Sequence, residues 1–281
     1  GQDRFRTNAA WLTLGTSLAY ITAMIKIEAI PILQDNYVWA IHDADRAILI
    51  DPGAAAPILA WLKNRDMRVR AILLTHHHHD HVGGIAQLID GTSIPVYGPA
   101  RGAAKTIPVS DEQTLTFDDM GLIFKVLDTP GHTLDHVCYV AQVEAGDDMH
   151  LFSGDTLFSC GCGRLFEGSP EEMHRSLSRL AQLPGNTRVY CAHEYTLANI
   201  AFALEVEPEN AALHTRHMEA LALRKLGQPT LPVLLGTECN TNPFLRCELN
   251  DVIVAASQHV GKALSPGAET FAAVRAWKDE A

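Results

Sequence analysis

The side chains with the clearest capacity for chemistry lie in residues 75–84, which read Thr-His-His-His-His-Asp-His-Val-Gly-Gly. Read as H-x-H-x-D-H, this segment offers His76 and His78 as one pair of metal ligands. Asp80 and His81 form a second pair. Imidazole nitrogens together with a carboxylate oxygen suit zinc, iron or manganese. A histidine-rich surface loop is the alternative, but the segment follows an apolar, strand-like run and carries an Asp before two glycines, so we favour a metal site.

The backbone conformation decides which of these side chains point the same way. In an extended chain alternate side chains share a face, so we expect His76, His78 and Asp80 to point together. His81 joins them if the chain turns here, and Gly83-Gly84 supplies the conformational freedom for such a turn.

Three further segments place a candidate ligand just after an apolar, strand-like run. They are residues 128–133 with His132, residues 154–156 with Asp155, and residues 192–194 with His193. Strand ends at one edge of a sheet can aim several ligands at one point. Each of these residues alone would more often be structural. Four sets in the same position after a strand indicate one shared site.

The composition indicates a globular protein without a nucleic-acid or membrane partner. A chain of 281 residues can bury a large core and allows one large domain with a smaller appendage. Its 22 basic and 33 acidic residues give a net charge of −11, which disfavours binding to nucleic-acid phosphates. No apolar run is long enough to span a bilayer. We expect a monomer.

The six cysteines are scattered along the chain, so a disulfide framework is not expected. We interpret them as reduced thiols in the cytoplasm. Cys160-Gly161-Cys162 is an alternative metal or redox pair, but no second cysteine pair lies near it.

Residues 1–23 precede the first strand-like pattern, and we treat Met24 as the functional start. The stretch carries Arg4 and Arg6 and is rich in Thr, Ser and Ala. We interpret it as an added leader, an upstream extension or the remnant of a transit peptide. A transit remnant would place the protein in an organellar matrix.

Short strand-like runs dominate residues 24–194, and helical spacing dominates residues 195–281. The predicted strands are 25–30, 37–42, 47–50, 69–75, 122–127, 137–140, 151–153 and 189–191. The predicted helices are 57–65, 169–183, 196–205, 211–226 and 252–260. Ser169-Pro170-Glu171-Glu172 combines an N-cap, a proline at the first helical position and a capping-box Glu. Stacked sheets with outer helices, followed by a helical domain, are expected.

The order H-x-H-x-D-H, T-P-G-H-T, G-D-T and a late His resembles the metallo-β-lactamase superfamily. Within it the chain most resembles glyoxalase II, the hydroxyacylglutathione hydrolases. The supporting stretches are residues 33–37, 51–53, 154–158, 161–164, 191–196 and 242–246. The resemblance implies an α/β (α+β) fold, with an αββα metallo-β-lactamase sandwich as the catalytic domain at 24–194. A C-terminal all-helical domain at 195–281 would bind the substrate.

The resemblance also implies a binuclear site with two divalent metal ions per chain. His76, His78 and His132 would hold one ion. Asp80, His81 and His193 would hold the other, and Asp155 would bridge the two. We expect zinc, with iron or manganese as alternatives, because His and Asp ligands accept all three.

The activity implied is hydrolysis of S-(2-hydroxyacyl)glutathione, such as S-D-lactoylglutathione, to glutathione and a 2-hydroxy acid such as D-lactate. This is the second step of methylglyoxal detoxification. Coordination lowers the pKa of water to about 7, so we expect a metal-bridging hydroxide to attack the thioester carbonyl. Asp80 would act as ligand and orienter of the hydroxide, and Asp155 as the bridging carboxylate.

The resemblance assigns the glutathione contacts to a further set of residues: Arg164, Phe166, Tyr195, Arg275 and Lys278. Arg275 and Lys278 are spaced i, i+3 on the last predicted helix, so they share a face. The outer histidines are interpreted as supporting, structural or surface residues: His42, His77, His79, His136, His150, His174, His214, His217 and His259.

Several other functions compete with this one. Another hydrolase of the superfamily, such as a lactonase, a β-lactamase or a tRNA-processing nuclease, would share the ligand motif. A persulfide dioxygenase would use a single iron. The helical C-terminal domain disfavours the compact lactonases and β-lactamases as well as the dioxygenase, and the acidic charge disfavours the nuclease. A non-catalytic metal-binding protein is disfavoured by the bridging Asp155.

Overall fold

Two β-sheets packed face to face form the centre of the molecule. The computed structural model describes residues 24–101, 106–143 and 148–281, so the leader predicted at 1–23 lies outside the described residues. The first sheet has the strand order β1-β2-β3-β4-β5-β6. Its strands are β1 (Lys26–Ile32), β2 (Asn36–His42), β3 (Arg46–Ile50), β4 (Arg68–Leu73), β5 (Val96–Gly98) and β6 (Ile107–Pro108).

The second sheet has the order β14-β13-β10-β9-β8-β7 and is mainly antiparallel. Its strands are β7 (Thr114–Phe117), β8 (Leu122–Asp128), β9 (Val137–Val143), β10 (Met149–Gly154), β13 (Arg188–Cys191) and β14 (Val233–Leu234). A small hairpin of β11 (Leu157–Phe158) and β12 (Gly161–Cys162) follows β10. The C-terminal region therefore contributes one short strand, β14, to this sheet in addition to its helices.

The helices lie on the outer faces of the two sheets and in the C-terminal region. They are α1 (Ala55–Arg65), α2 (His79–Val82), α3 (Ile85–Leu88), α4 (Pro170–Leu180), α5 (Thr196–Val206), α6 (Ala211–Lys225), α7 (Leu235–Thr241), α8 (Asn250–Val260) and α9 (Ala268–Glu280). Short 3-10 turns occur at Asp118–Met120 and Pro243–Leu245. Within the described ranges, no helix combines the length and apolar character needed to cross a membrane.

The sheets have buried side chains on both faces, which gives the αββα layering. On β2, Trp39 and Ile41 point into the core between the sheets, whereas Val38 and Ala40 pack towards Ile58 of α1. Because strand side chains alternate, a strand buried on both faces reads as a continuous apolar run. This pattern explains why the central strands could be predicted from the sequence.

Helix α4 begins as its sequence predicts. Ser169 Oγ accepts a hydrogen bond from the Glu172 main-chain nitrogen at 3.2 Å, and the Glu172 carboxylate accepts from the Ser169 main-chain nitrogen at 2.8 Å. The helix ends at Leu180, before the predicted end at residue 183. Its apolar face carries Met173 and Leu177, which pack in the core.

Removal of the Ser169 side chain should lower the stability of the protein measurably. We expect Ser169→Ala to lower the free energy of unfolding by about 1 kcal/mol, because the Glu172 main-chain nitrogen loses its acceptor. Ser178→Ala is the matched control on the exposed face of the same helix and should change stability by less than about 0.5 kcal/mol. Urea unfolding of both variants checks this. Equal stability of the two variants would show that the capping box is not used in solution.

Candidate metal centre

The H-x-H-x-D-H segment leaves β4 after Leu73, bends at Thr75, and forms the helical turn α2 after His78, whose backbone is extended. Asp80 and His81 therefore lie on a helix. The prediction that Asp80 shares a strand face with His76 and His78 is wrong. A helical turn begins at His79, so the alternation of side chains ends before Asp80.

The two glycines after this turn are needed for close packing. Gly83 and Gly84 have ordinary helical φ angles of −61° and −83°, so the expected use of glycine freedom is wrong. A Cβ atom on Gly84 would lie 2.5 Å from the Pro52 carbonyl oxygen, and one on Gly83 would lie 2.7 Å from that of Gly53. Small residues let α2 pack against the loop after β3.

Three histidine nitrogens converge at the first of the predicted metal positions. His78 Nδ1 lies 3.0 Å from His76 Nε2 and 3.0 Å from His132 Nε2. His76 is buried and His132 is 4% exposed, so their orientations are fixed by packing. The three nitrogens lie within 4.8 Å of one another and could hold one ion.

A second set of side chains converges next to the first. His81 Nε2 and His193 Nε2 each lie 3.4 Å from Asp80 Oδ2. The same two nitrogens each lie 3.4 Å from Asp155 Oδ1, whereas the other oxygen of Asp155 lies 3.4 Å from His132 Nε2. The Asp155 carboxylate therefore stands between the two sets, with one oxygen towards each.

Two buried polar atoms of this cluster lack a partner in the part of the chain that the structure describes, as expected for ligands of a metal ion. Asp155 Oδ1 and His81 Nε2 are buried and have no hydrogen-bond partner within the described residues. Buried polar atoms are normally satisfied, and such orphaned atoms call for an ion, a water or a functional role. Their chemistry is that of hard and borderline divalent cations.

The charges within the cluster stabilise one another. Burial alone would lower the pKa of His81, but the Asp155 and Asp51 carboxylates raise it well above its usual value. Burial alone would also lower the pKa of His193, which Asp155 raises to about 10. Burial would raise the pKa of Asp155, and the two histidines hold it well below its usual range. A bound metal ion would take the place of the histidine protons.

Carboxylates behind the histidines orient their rings. Asp51 Oδ2 lies 3.0 Å from His81 Nδ1 and accepts from Thr75 Oγ1 at 2.7 Å. Asp35 Oδ1 lies 2.7 Å from His193 Nδ1. A carboxylate that accepts from Nδ1 leaves Nε2 free as a metal ligand. The motif pattern does not single out either aspartate, although both lie in stretches that resemble the family.

His136 was expected to be structural, and it has a defined task. Its Nε2 accepts a hydrogen bond from the Asp155 main-chain nitrogen at 3.1 Å, and its Nδ1 lies 3.0 Å from the hydroxyls of Thr129 and Thr156. Burial holds the pKa of His136 well below its usual value, so the ring is neutral and can accept. The residue fixes the backbone at Asp155.

The two outer histidines of the motif differ in their surroundings. His77 Nδ1 lies 3.3 Å from Asp135, and its Nε2 lies 3.4 Å from Glu167. His79 is exposed. Neither belongs to the groups of potential metal ligands found among the described residues, and the same is true of Cys160 and Cys162.

A cleft of about 690 Å³ opens directly above the cluster. All five residues predicted to contact glutathione line it: Arg164, Phe166, Tyr195, Arg275 and Lys278. The Phe166 side chain is exposed, and its ring centre lies 5.3 Å from that of His132. Tyr195 stacks on His193 with ring centres 4.7 Å apart. Apolar rings thus flank the candidate metal ligands at the floor of the cleft.

The cations of the cleft are not equally available. Arg275 is 4% exposed and donates to the Cys162 carbonyl oxygen at 3.0 Å and to Asp279 at 2.9 Å. Lys278 Nζ lies 3.4 Å from the Ala198 carbonyl oxygen, and burial lowers its pKa. The Arg164 side chain is mostly exposed. Both terminal nitrogens of Arg275 have partners within the chain, although its buried Nε has none among the described residues. Arg164, whose Nε lies 3.4 Å from Asp279, and Lys278 retain donors free for a ligand.

The similarity of this chain to known proteins identifies its family. A model described as metallo-beta-lactamase superfamily matches residues 33–193, and one described as hydroxyacylglutathione hydrolase C-terminus matches residues 194–281. A protein named hydroxyacylglutathione hydrolase from Nitrosomonas eutropha is 48% identical, over 91% of this chain and 99% of the relative. The chain belongs to the hydroxyacylglutathione hydrolase family. Its relative of the same name from Pseudomonas aeruginosa is 49% identical, over 92% of this chain and 100% of that one.

These matches confirm two predictions made from the motifs. One is the family, and the other is the α/β fold with a metallo-β-lactamase domain and a helical C-terminal region. The crystal structure of TTHA1623 in a di-iron-bound form is also similar, with a TM-score of 0.55 and 27% identity over 78% of this chain and 100% of that chain. With the converging His and Asp side chains, the metallo-β-lactamase fold supports binding of divalent metal.

Proposed function

We propose that this chain is a metal-dependent thioesterase that hydrolyses S-(2-hydroxyacyl)glutathione, with S-D-lactoylglutathione as the main substrate. The observation that carries the proposal is the position of the cleft: its floor is the His and Asp cluster, and its walls come from both matched family regions. A volume of about 690 Å³ lies within the usual range for small-molecule sites. We assign hydrolysis to residues 24–194 and substrate binding to residues 195–281.

We further propose two metal ions per chain, zinc in the first place, with iron or manganese as alternatives. His76, His78 and His132 are the proposed ligands of one ion. Asp80, His81 and His193 are those of the other, with Asp155 shared. The two oxygens of Asp155 face different sets of histidines, which supports a bridging role. Bound divalent ions lower the pKa of water to about 7 and polarise a carbonyl oxygen.

The other residues of the cleft have roles that follow from their chemistry. Asp80 accepts a hydrogen bond from Asn36 at 3.0 Å, which holds its carboxylate in place to orient the attacking water. The aromatic faces of Phe166 and Tyr195 limit the access of bulk water to the thioester. The leaving thiolate is weakly basic, so a dedicated general acid is not required.

The glutathione carboxylates need local cations, because the chain carries a net charge of −11. We assign this task to Arg164 and Lys278, which have donors free for a ligand. Arg275 instead supports the wall of the cleft through the Cys162 carbonyl oxygen.

Loss of the Lys278 ammonium should weaken substrate binding selectively. A charge-assisted hydrogen bond is worth about 1.5–3 kcal/mol, so Lys278→Ala should raise KM for S-D-lactoylglutathione about ten- to a hundredfold. Contacts remote from the reacting carbonyl hold ground state and transition state alike, so kcat should change little. Lys262→Ala is the matched control, because Lys262 is exposed and pairs with Glu269 outside the cleft. An unchanged KM in Lys278→Ala would remove this lysine from the site.

The proposed substrate is tested by comparing thiol release from S-D-lactoylglutathione with hydrolysis of nitrocefin and of a lactone. The expected result is a kcat/KM for the thioester that exceeds both others by orders of magnitude. Faster hydrolysis of nitrocefin or the lactone would refute the glutathione assignment.

We propose the cytoplasm as the location. All six cysteines are free thiols, and five of them are buried, which suits a reducing compartment.

A further inference from the structure

The hairpin β11–β12 forms part of the cleft wall. Phe158 and Cys162 line the cleft, and the Phe158 ring centre lies 5.7 Å from that of His193 and 5.4 Å from that of Tyr195. The turn of the hairpin, Ser159-Cys160, points away from the cleft and into the helical region. The position of this turn therefore affects the wall against which a ligand would rest.

The turn has a conformation that needs support. Cys160 has a φ angle of +55°, in the left-handed region that costs a residue with a Cβ about 1–2 kcal/mol. Such backbone persists when the surrounding structure holds it. Glu238 supplies this support, since its Oε2 accepts from the Cys160 main-chain nitrogen at 2.7 Å and its Oε1 accepts from Ser159 Oγ at 2.9 Å.

Further polar side chains from the helices reach the same hairpin. We call the complete set the hairpin clasp: Asn199, Arg216, Glu238, Asn242 and Arg275. All of them are buried.

Three members of the hairpin clasp donate to main-chain oxygens of residues 158–162, and Arg216 Nη2 donates to the Ser159 hydroxyl at 3.3 Å. Asn242 Nδ2 donates to the carbonyl oxygens of Phe158 at 3.2 Å and Gly161 at 2.9 Å. Asn199 Nδ2 donates to that of Ser159 at 3.0 Å. Arg275 adds its bond to Cys162, described above.

Glu238 lies at the centre of the clasp. Besides the two bonds to the turn, its Oε2 lies 3.1 Å from Asn242 Nδ2, which shares its two protons with the carbonyl oxygens of Phe158 and Gly161. Its burial raises its pKa. A buried carboxylate costs free energy unless its oxygens are satisfied, and an apolar residue would often fill the same space at lower cost. A carboxylate with these partners fixes one orientation of the hairpin.

We propose that Glu238 is a positioning residue for the substrate cleft: it holds the Ser159-Cys160 turn and thereby sets Phe158 and Cys162 in the wall that contacts the glutathione part of the substrate. The inference rests on the proposed function for the identity of the ligand. The position of the hairpin itself is independent of that function.

The experiment compares Glu238→Ala, Glu238→Gln and Glu207→Ala with the parent chain in its metal-loaded form. The glutamine can keep both contacts. Its carbonyl oxygen can accept from the Cys160 main-chain nitrogen, while its amide donates to the Ser159 hydroxyl, which has a second lone pair beside the one that Arg216 uses. Glu207 is the matched control, a buried carboxylate bonded by Arg246 elsewhere in the helical region. Steady-state kinetics on S-D-lactoylglutathione, metal content and hydrogen exchange of residues 158–162 are measured.

For Glu238→Ala we expect KM to rise about tenfold while kcat stays within about threefold, because a shifted wall weakens remote contacts. Metal content should equal that of the parent, and hydrogen exchange of the hairpin should increase. Glu238→Gln should resemble the parent in all readouts. Glu207→Ala should lose stability while KM and hairpin exchange stay unchanged.

Two results would overturn the inference: an unchanged KM in Glu238→Ala, or a Glu238→Gln variant as impaired as the alanine. If Glu238→Ala does not fold, Ser159→Ala decides, with an expected rise in KM of about threefold, because the hydroxyl that bonds Glu238 and Arg216 is lost. A parent chain that does not hydrolyse the thioester would refute the proposed function instead. Hairpin exchange in Glu238→Ala and Glu238→Gln then decides whether Glu238 positions the turn.

Discussion

Asp155→Ala is expected to lose both metal ions and to lower kcat/KM for S-D-lactoylglutathione roughly a thousandfold or more, because metal-activated water is lost. The Asp155 carboxylate is the group whose oxygens face both sets of histidines, at 3.4 Å from His132, His81 and His193. Its removal also leaves those rings without the charge that orients them. Elemental analysis and kinetics on the same preparation measure both effects.

The controls are the two outer histidines of the same motif. His77→Ala and His79→Ala should keep the parent metal content and most of the activity, because neither side chain faces the candidate ligand atoms. If His77→Ala lost as much metal as Asp155→Ala, the assignment of inner and outer faces of the motif would be wrong.

Asp51→Asn should weaken metal binding about 10–100-fold, although it preserves the shape of the side chain. The Asp51 carboxylate accepts from His81 Nδ1 and leaves His81 Nε2 as a lone-pair donor. An amide nitrogen in that place would donate to Nδ1, and the proton of the neutral ring would then sit on Nε2, where it blocks a ligand bond. Metal competition titrations against a chelator of known affinity measure the change.

A useful comparison for this variant is Asp51→Ala. Its metal affinity should be no lower than that of Asp51→Asn, because neither side chain accepts from His81 Nδ1. Its free energy of unfolding should be lower than that of Asp51→Asn, because Thr75 also loses its partner. Parent-like affinity in Asp51→Asn would show that the tautomer of His81 is not set by this carboxylate.

The central strands could be predicted because their burial is written into continuous apolar runs. The predicted bounds of β2 and β3 lie within one residue of those in the structure. For β10 the prediction covers only the central residues 151–153. The short strands β5, β6 and β7 were missed, because two to four residues carry no readable alternation.

The candidate ligands could be predicted as sets because each follows a strand, and these strand ends meet at one edge of the stacked sheets. The supporting residues could not, since they depend on pairs far apart in the chain. Asp35 and His193 are 158 positions apart, and the Glu238 bond to Ser159 spans 79. The helical turn at His79–Val82 was also missed, because four residues are too few to show a helical period.

The dependence of thioesterase activity on the number of metal ions per chain tests the proposed binuclear site most directly. The metal-free chain is titrated with Zn²⁺, and bound metal and D-lactate release are measured on the same samples. We expect no activity without metal and a rise in activity that is complete at two ions per chain. Full activity at one ion per chain, or unchanged activity after metal removal, would contradict this expectation.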